Sequence, residues 1–130
     1  MQRVMLAAAG VMGATGIAAA AWAQHGLVGT VDAEHVRFAR IAARFAVVHA
    51  VALLAMAAML REGIGRATRY CLGAAAACFM AGFVLFCGGL WLLTLVPSGI
   101  WAPGIPVGGT LFIVGWLAIL VAALAPRSAR

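Results

Sequence analysis

An all-α bundle of four membrane-spanning helices is the fold class this sequence predicts, and three observations carry it. The chain has 130 residues, of which 66% are hydrophobic and only 9% charged, against roughly 25% charged in soluble domains. Its apolar residues gather into four runs of about 18 residues or more, the length needed to cross a hydrocarbon layer of about 30 Å. The net charge of +6, from nine basic residues against three acids, comes from arginine alone. Most of these arginines lie between the apolar runs, where they act as topology signals and headgroup contacts. A nucleic-acid partner is therefore not expected. No glycine loop follows a strand, so no nucleotide site is expected either.

A single transmembrane domain over residues 1–130 follows, with helices at about 4–23, 33–60, 70–96 and 107–124. The first run, Val4 to Ala23, holds no charge. Arg3, the small residues and Ala21-Trp22-Ala23 also resemble a signal peptide, but the segment is expected to stay as the first helix. Gly10, Gly13 and Gly16, with Ala9, make a small-residue ridge that would let a neighbouring helix approach closely. Gln24 to Val31 forms a short loop. Asp32 is placed to cap the second helix, Glu34 suits its positive first turn, and Glu34 and Arg37 are spaced as an i,i+3 pair.

From Ala33 to Leu60 the second helix would be about 42 Å long, more than the apolar layer needs. Its first turns should then stand at the headgroups with Arg37, Arg40 and Arg44 in one stripe, snorkelling outward. Gly63 and Gly65 are expected to stop it. A basic loop with Arg61, Arg66 and Arg69 leads to the third helix, Tyr70 to Val96, which Pro97 ends. Gly73, Ala77 and Ala81 offer a second small-residue ridge there. The uncharged loop around Trp101 should press into the interface, and the last helix, Val107 to Leu124, precedes Pro126, Arg127 and Arg130.

Arg3, Arg61, Arg66, Arg69, Arg127 and Arg130 fall on one side of such a bundle and Arg37, Arg40 and Arg44 on the other. The excess predicts both termini in the cytoplasm. Trp22, Trp91 and Trp101 fall toward the outer side, as an aromatic belt would. Cys71, Cys78 and Cys87 lie in the third run without metal-ligand spacing and read as packing residues.

Taken together, Trp22-Ala-Gln-His25-Gly26-Leu27, Arg44-Phe-Ala-Val-Val-His49-Ala-Val-Ala-Leu-Leu54, Gly82-Phe-Val-Leu-Phe-Cys-Gly88-Gly-Leu-Trp91 and Pro106-Val-Gly108-Gly109 with Gly115-Trp116 resemble the domain of unknown function 423 family, also called the transmembrane protein 256 family. The likeness covers nearly the whole chain. It implies a small multi-pass protein of the bacterial inner membrane and brings no established chemistry with it. Where relatives tend to read Arg-Tyr-Gln-Met-Tyr-His, this chain reads Arg44-Phe45-Ala46-Val47-Val48-His49, without the tyrosine hydroxyls and the amide.

His49 is the sharpest candidate, an ionisable side chain deep in an apolar run. It lies about 140° around the helix from Arg44, on the face of Phe38, Ala42, Phe45, Leu53 and Met56, and so should point at packed helices. It could relay protons, ligate a metal or haem, or bond a quinone. The plainer expectation is a neutral ring bonded to a carbonyl or hydroxyl of another helix. His25 and His49 differ in depth, which disfavours joint haem ligation. Too few ligands gather for zinc, and Ser98, Ser128 and Asp32 make no catalytic triad.

The residues expected to make buried polar, lipid or partner contacts are His25, Arg37, Arg40, Arg44 and His49. The function expected is that of a non-catalytic accessory or assembly subunit against a larger inner-membrane complex, such as a respiratory one, with no cofactor. The alternatives are a small oligomeric carrier or channel with His49 and Arg44 along its path, or a haem- or quinone-binding module.

Overall fold

A computed structural model describes residues 1–61, 64–96, 100 and 102–125 of the chain. The roles expected of Gly63, Pro97, Trp101, Pro126, Arg127 and Arg130 fall outside these residues. Four helices, α1 (Gln2–His25), α2 (Ala33–Met59), α3 (Arg66–Leu95) and α4 (Gly104–Leu124), are each long and apolar enough to cross a membrane. Every other described segment is a turn or loop. The protein is an integral membrane protein of four spans, as a chain must be when its apolar runs can satisfy their backbone polar groups in lipid only as helices.

The helices form two hairpins. α1 lies along α2 and α3 along α4, and the hairpins meet where α2 packs on the second half of α3. Met5, Ala9 and Met12 of α1 are buried with Ala42, Ala46, Leu53 and Met56 of α2 and with Leu72, Ala75 and Phe79 of α3. At Gly16 the two backbones of the first hairpin come close. A Cβ there would stand 2.9 Å from Val47 Cγ2 and 3.2 Å from the Ala43 carbonyl. Gly10, at the other end of the expected ridge, has open space around it.

The second hairpin is closed by a different set of glycines from the one its sequence suggests. Ala77 and Ala81 face outward, and the nearest atom to Gly73 is Met1 Sδ, so the Gly73–Ala77–Ala81 ridge does not join helices within the bundle. In lipid both faces of a span are apolar, and spacing alone does not mark the inner one. The seam runs instead through Gly82, Gly108 and Gly115. These lie against Phe112, the Phe86 backbone and Phe79 respectively. Alongside it α3 leaves regular geometry: Phe83–Cys87 forms a π turn, where an uninterrupted helix was expected. A π turn is a rare single-turn departure inside an α-helix, often found beside functional groups, and this one carries Phe86 toward the middle of the bundle.

At the face of the α1–α2 loop a smaller core of Ala23, Leu27, Val36 and Ala39 ties the first hairpin. Gly29 turns the loop with φ of 84°, a conformation that costs residues with a Cβ. Thr94, buried near the end of α3, has its hydroxyl 2.9 Å from the Leu90 carbonyl and 3.3 Å from that of His35, which pins α3 to the start of α2.

Asp32 caps α2 as expected. Its Oδ1 accepts from the His35 backbone N–H at 3.0 Å and lies 2.7 Å from His35 Nδ1. The backbone bond, and then the imidazole, hold the carboxyl below the usual carboxylate range. A depressed folded value stabilises above the unfolded one, so the cap is intact at neutral pH and lost as pH falls below about 4. Hydrogen exchange should show the His35 and Val36 amides losing protection on that acidification, while Asp32→Ala shows low protection at every pH.

Candidate functional site

His49 stands near the middle of α2 and is 3% exposed. Five residues earlier on the same helix, Arg44 marks the end of the charged stripe. Because α2 and α4 make little backbone contact, it is side chains that join them at this depth. The imidazole stacks on Phe112 of α4, with centroids 3.7 Å apart and planes 16° from parallel. It meets the edge of Phe79 from α3 at 4.8 Å. Phe45, one turn back, stacks with it at 5.9 Å and also touches Phe86 of the π turn.

Both ring nitrogens are engaged. Nδ1 lies 2.8 Å from the Phe45 carbonyl, and the Trp116 indole Nε1 lies 3.2 Å from Nε2. A carbonyl only accepts and an indole N–H only donates. Nδ1 therefore carries the proton, Nε2 accepts, and the ring is neutral. The expected partner was a carbonyl or hydroxyl of another helix. The carbonyl belongs instead to α2 itself, the ordinary i−4 partner of a helical side chain, and the bond across helices comes from an indole. With Nε2 taken by Trp116 and Nδ1 by Phe45, neither nitrogen has a lone pair free for iron, and a proton relay would have to break one of these bonds.

The other histidines do not join it. His25 is exposed at the end of α1, and His35 belongs to the α2 cap. Among the described residues no three His, Cys, Asp or Glu side chains come together as a metal site would need. The cysteines are free; Cys87 is buried while Cys71 and Cys78 are partly buried.

The arginine stripe lies outward as expected, and its members differ. Arg37 pairs with Glu34 at 3.5 Å, both well exposed, a contact worth little in water. Arg40 donates to Gln24 Oε1 at 2.8 Å and thereby joins α2 to α1. Arg44 has no ion pair among the described residues. It stands at the mouth of a groove of about 500 Å³ that runs past Phe45, Val48 and His49 on α2 and past Gly109, Phe112, Ile113 and Trp116 on α4.

Sequence reasoning missed Phe79, Phe86, Phe112 and Trp116 as neighbours of His49. One signal was available. An indole at the centre of an apolar run, away from the belts at either interface, needs an acceptor there, and His49 is the ionisable group at matching depth.

The comparisons fit this architecture. The family model described as "Protein of unknown function (DUF423)" matches residues 19–109. The chain is 30% identical over 123 residues to the UPF0382 membrane protein YwdK of Bacillus subtilis (strain 168), covering 93% of this chain and 94% of the relative. It is 31% identical over 123 residues to the UPF0382 inner membrane protein YgdD of Escherichia coli (strain K12), covering 94% and 90%. The UPF0382 membrane protein SAB0533 of Staphylococcus aureus (strain bovine RF122 / ET3-1) is 29% identical over 119 residues, covering 92% of each. No solved structure matches the chain.

Proposed function

The chain belongs to the DUF423 family of small membrane proteins, and from that premise we propose that it is a non-catalytic accessory or assembly subunit packing against a larger complex of the bacterial inner membrane. The observation that carries this reading is the state of His49. The one histidine buried among the described residues has both nitrogens committed to internal bonds. It works as a tie between helices and not as a reagent.

The outward surface supports docking. Gly10 on α1 and Ala77 and Ala81 on α3 are small residues exposed on the outside of the bundle, where a partner's helix can approach closely. The excess of arginine around the start of α1, the α2–α3 connection and the end of α4 favours a cytoplasmic position for both termini, which would put the Arg37–Arg44 stripe on the opposite side. Extraction of the tagged chain from its native membrane in mild detergent should yield a complex with a larger membrane protein. A strictly monomeric chain under those conditions would overturn the proposal.

A second reading, an oligomeric carrier or channel, draws on one observation: Arg44 and His49 line the same groove. It requires flux in liposomes that falls in His49→Ala. Unchanged flux would remove it.

A further inference from the structure

Two adjoining depressions share Arg44, and their chemistry differs. The larger, about 500 Å³, is walled by Phe45, Val48, Phe86, Phe112, Ile113 and Trp116 and falls within the range of small-molecule sites, about 300–1,000 Å³. The smaller, about 270 Å³, is floored by Ala20 and Ala43 and rimmed by Gln24, Arg40 and Arg44. One is a trough for hydrocarbon, the other a shelf with two guanidinium groups one helical turn apart.

Among the described residues no acid serves that shelf. Asp32 engages His35 and Glu34 engages Arg37, while Glu62 follows the far end of α2 in the sequence. An arginine at the edge of the apolar layer needs an anion or water for its five donors. The two depressions lie in the order that an amphiphile presents, with charge at the headgroup level and chain below it. His49 lies about 7.5 Å deeper than Arg44 along α2, so a chain leaving a headgroup at Arg44 runs inward past Phe45 and Val48. Gly109 lines the trough, and a Cβ there would already stand 3.6 Å from the Phe86 ring, so a bulky side chain at this position would project into the space the chain needs. An apolar trough alone would hold any annular lipid. The uncompensated guanidinium is what selects.

We propose that this composite groove is a binding site for one anionic phospholipid, its phosphate held by Arg44 and Arg40 and one acyl chain seated along Phe45, Phe112 and Trp116.

Trp116 lies in the wall and reports occupancy directly. The full chain carrying Trp22→Phe, Trp91→Phe and Trp101→Phe is placed in phosphatidylcholine nanodiscs with dibromo-acyl phosphatidylglycerol or dibromo-acyl phosphatidylcholine as quencher. Phosphatidylglycerol should quench Trp116 at about a five-fold lower mole fraction, the preference that about 1 kcal/mol from Arg44 alone supplies, Arg40 being already bonded to Gln24. Arg44→Gln should remove that preference, and Gly109→Leu, which fills the trough, should reduce quenching by both lipids. Equal quenching by the two lipids would mean annular contact only. A preference that survives Arg44→Gln would mean a headgroup held elsewhere. Absence of quenching by either would mean that a second copy or another protein covers the groove. Each of these overturns the proposal. If the single-tryptophan chain loses its helical circular dichroism, native mass spectrometry of the otherwise unchanged protein decides: phosphatidylglycerol adducts should exceed phosphatidylcholine adducts and fall to parity in Arg44→Gln, and equal adducts before substitution would refute it.

Discussion

Gly108→Ala is expected to lower the stability of the bundle by about 3 kcal/mol, at the upper end of what overpacking usually costs. An added Cβ would stand 2.4 Å from the Phe86 amide nitrogen, 2.8 Å from its Cβ and 3.0 Å from the Leu85 carbonyl carbon. These are largely backbone atoms of the π turn, which have no rotamer to escape into. α4 would have to move off α3, and with it Phe112 and Trp116, which reach across to α2. Gly109→Ala is the internal control, since its Cβ meets nothing closer than the Phe86 ring at 3.6 Å. Reversible unfolding followed by far-ultraviolet circular dichroism in micelles should separate the two variants, with Gly109→Ala within about 0.5 kcal/mol of the parent.

His49→Ala is expected to cost about 3 kcal/mol, for two reasons that a second variant separates. Removing the ring leaves a cavity among Phe45, Phe79 and Phe112, and it also leaves the Trp116 indole N–H without its acceptor. Trp116→Phe takes away that donor together with the pyrrole half of the indole, so it should cost about 1 kcal/mol for the bond, as bonds between membrane helices do, plus a packing loss that is shared by both backgrounds and cancels in the coupling. Once His49 is absent, Trp116→Phe should cost only that packing loss, because the donor then has nothing to lose. The coupling from the four unfolding free energies should be about 1 kcal/mol.

Much of the fold was open to reading because the bilayer is a strict solvent. Runs such as Val4–Ala23 can only be helices in lipid, arginines collect where the runs end, and Asp32 two residues before Glu34 is a cap whose hydrogen bonds are local. The start and length of α2, and the outward stripe of Arg37, Arg40 and Arg44, needed nothing beyond helical geometry. What failed to show was the choice of neighbours. Gly73, Ala77 and Ala81 have the spacing of a packing ridge yet face outward, since hydrophobic periodicity vanishes when both faces of a span are apolar. Gly82, Gly108 and Gly115 form the seam because Phe112, Phe86 and Phe79 come to rest on them, and none of those pairings is local in sequence. The π turn at Phe83–Cys87 lies along that same seam and so was equally hidden.

The candidate site divides in the same way. That His49 points inward with Ala42, Leu53 and Met56 follows from 100° per residue. That Trp116 meets it does not, for the two are separated by the whole of α3 and by both intervening loops. The tie itself is a consequence of depth: two polar groups placed near the centre of different spans have no water to turn to, and pair with each other.

His49 is a neutral tie between α2 and α4. Nitrogen-15 solid-state NMR of histidine-labelled protein in lipid bilayers, with His25→Gln and His35→Gln isolating one ring, measures it most directly. At neutral pH the expected spectrum shows a single tautomer with the proton on Nδ1 and an unprotonated Nε2 in contact with the Trp116 indole proton. A ring protonated at Nε2, or doubly protonated, would contradict it.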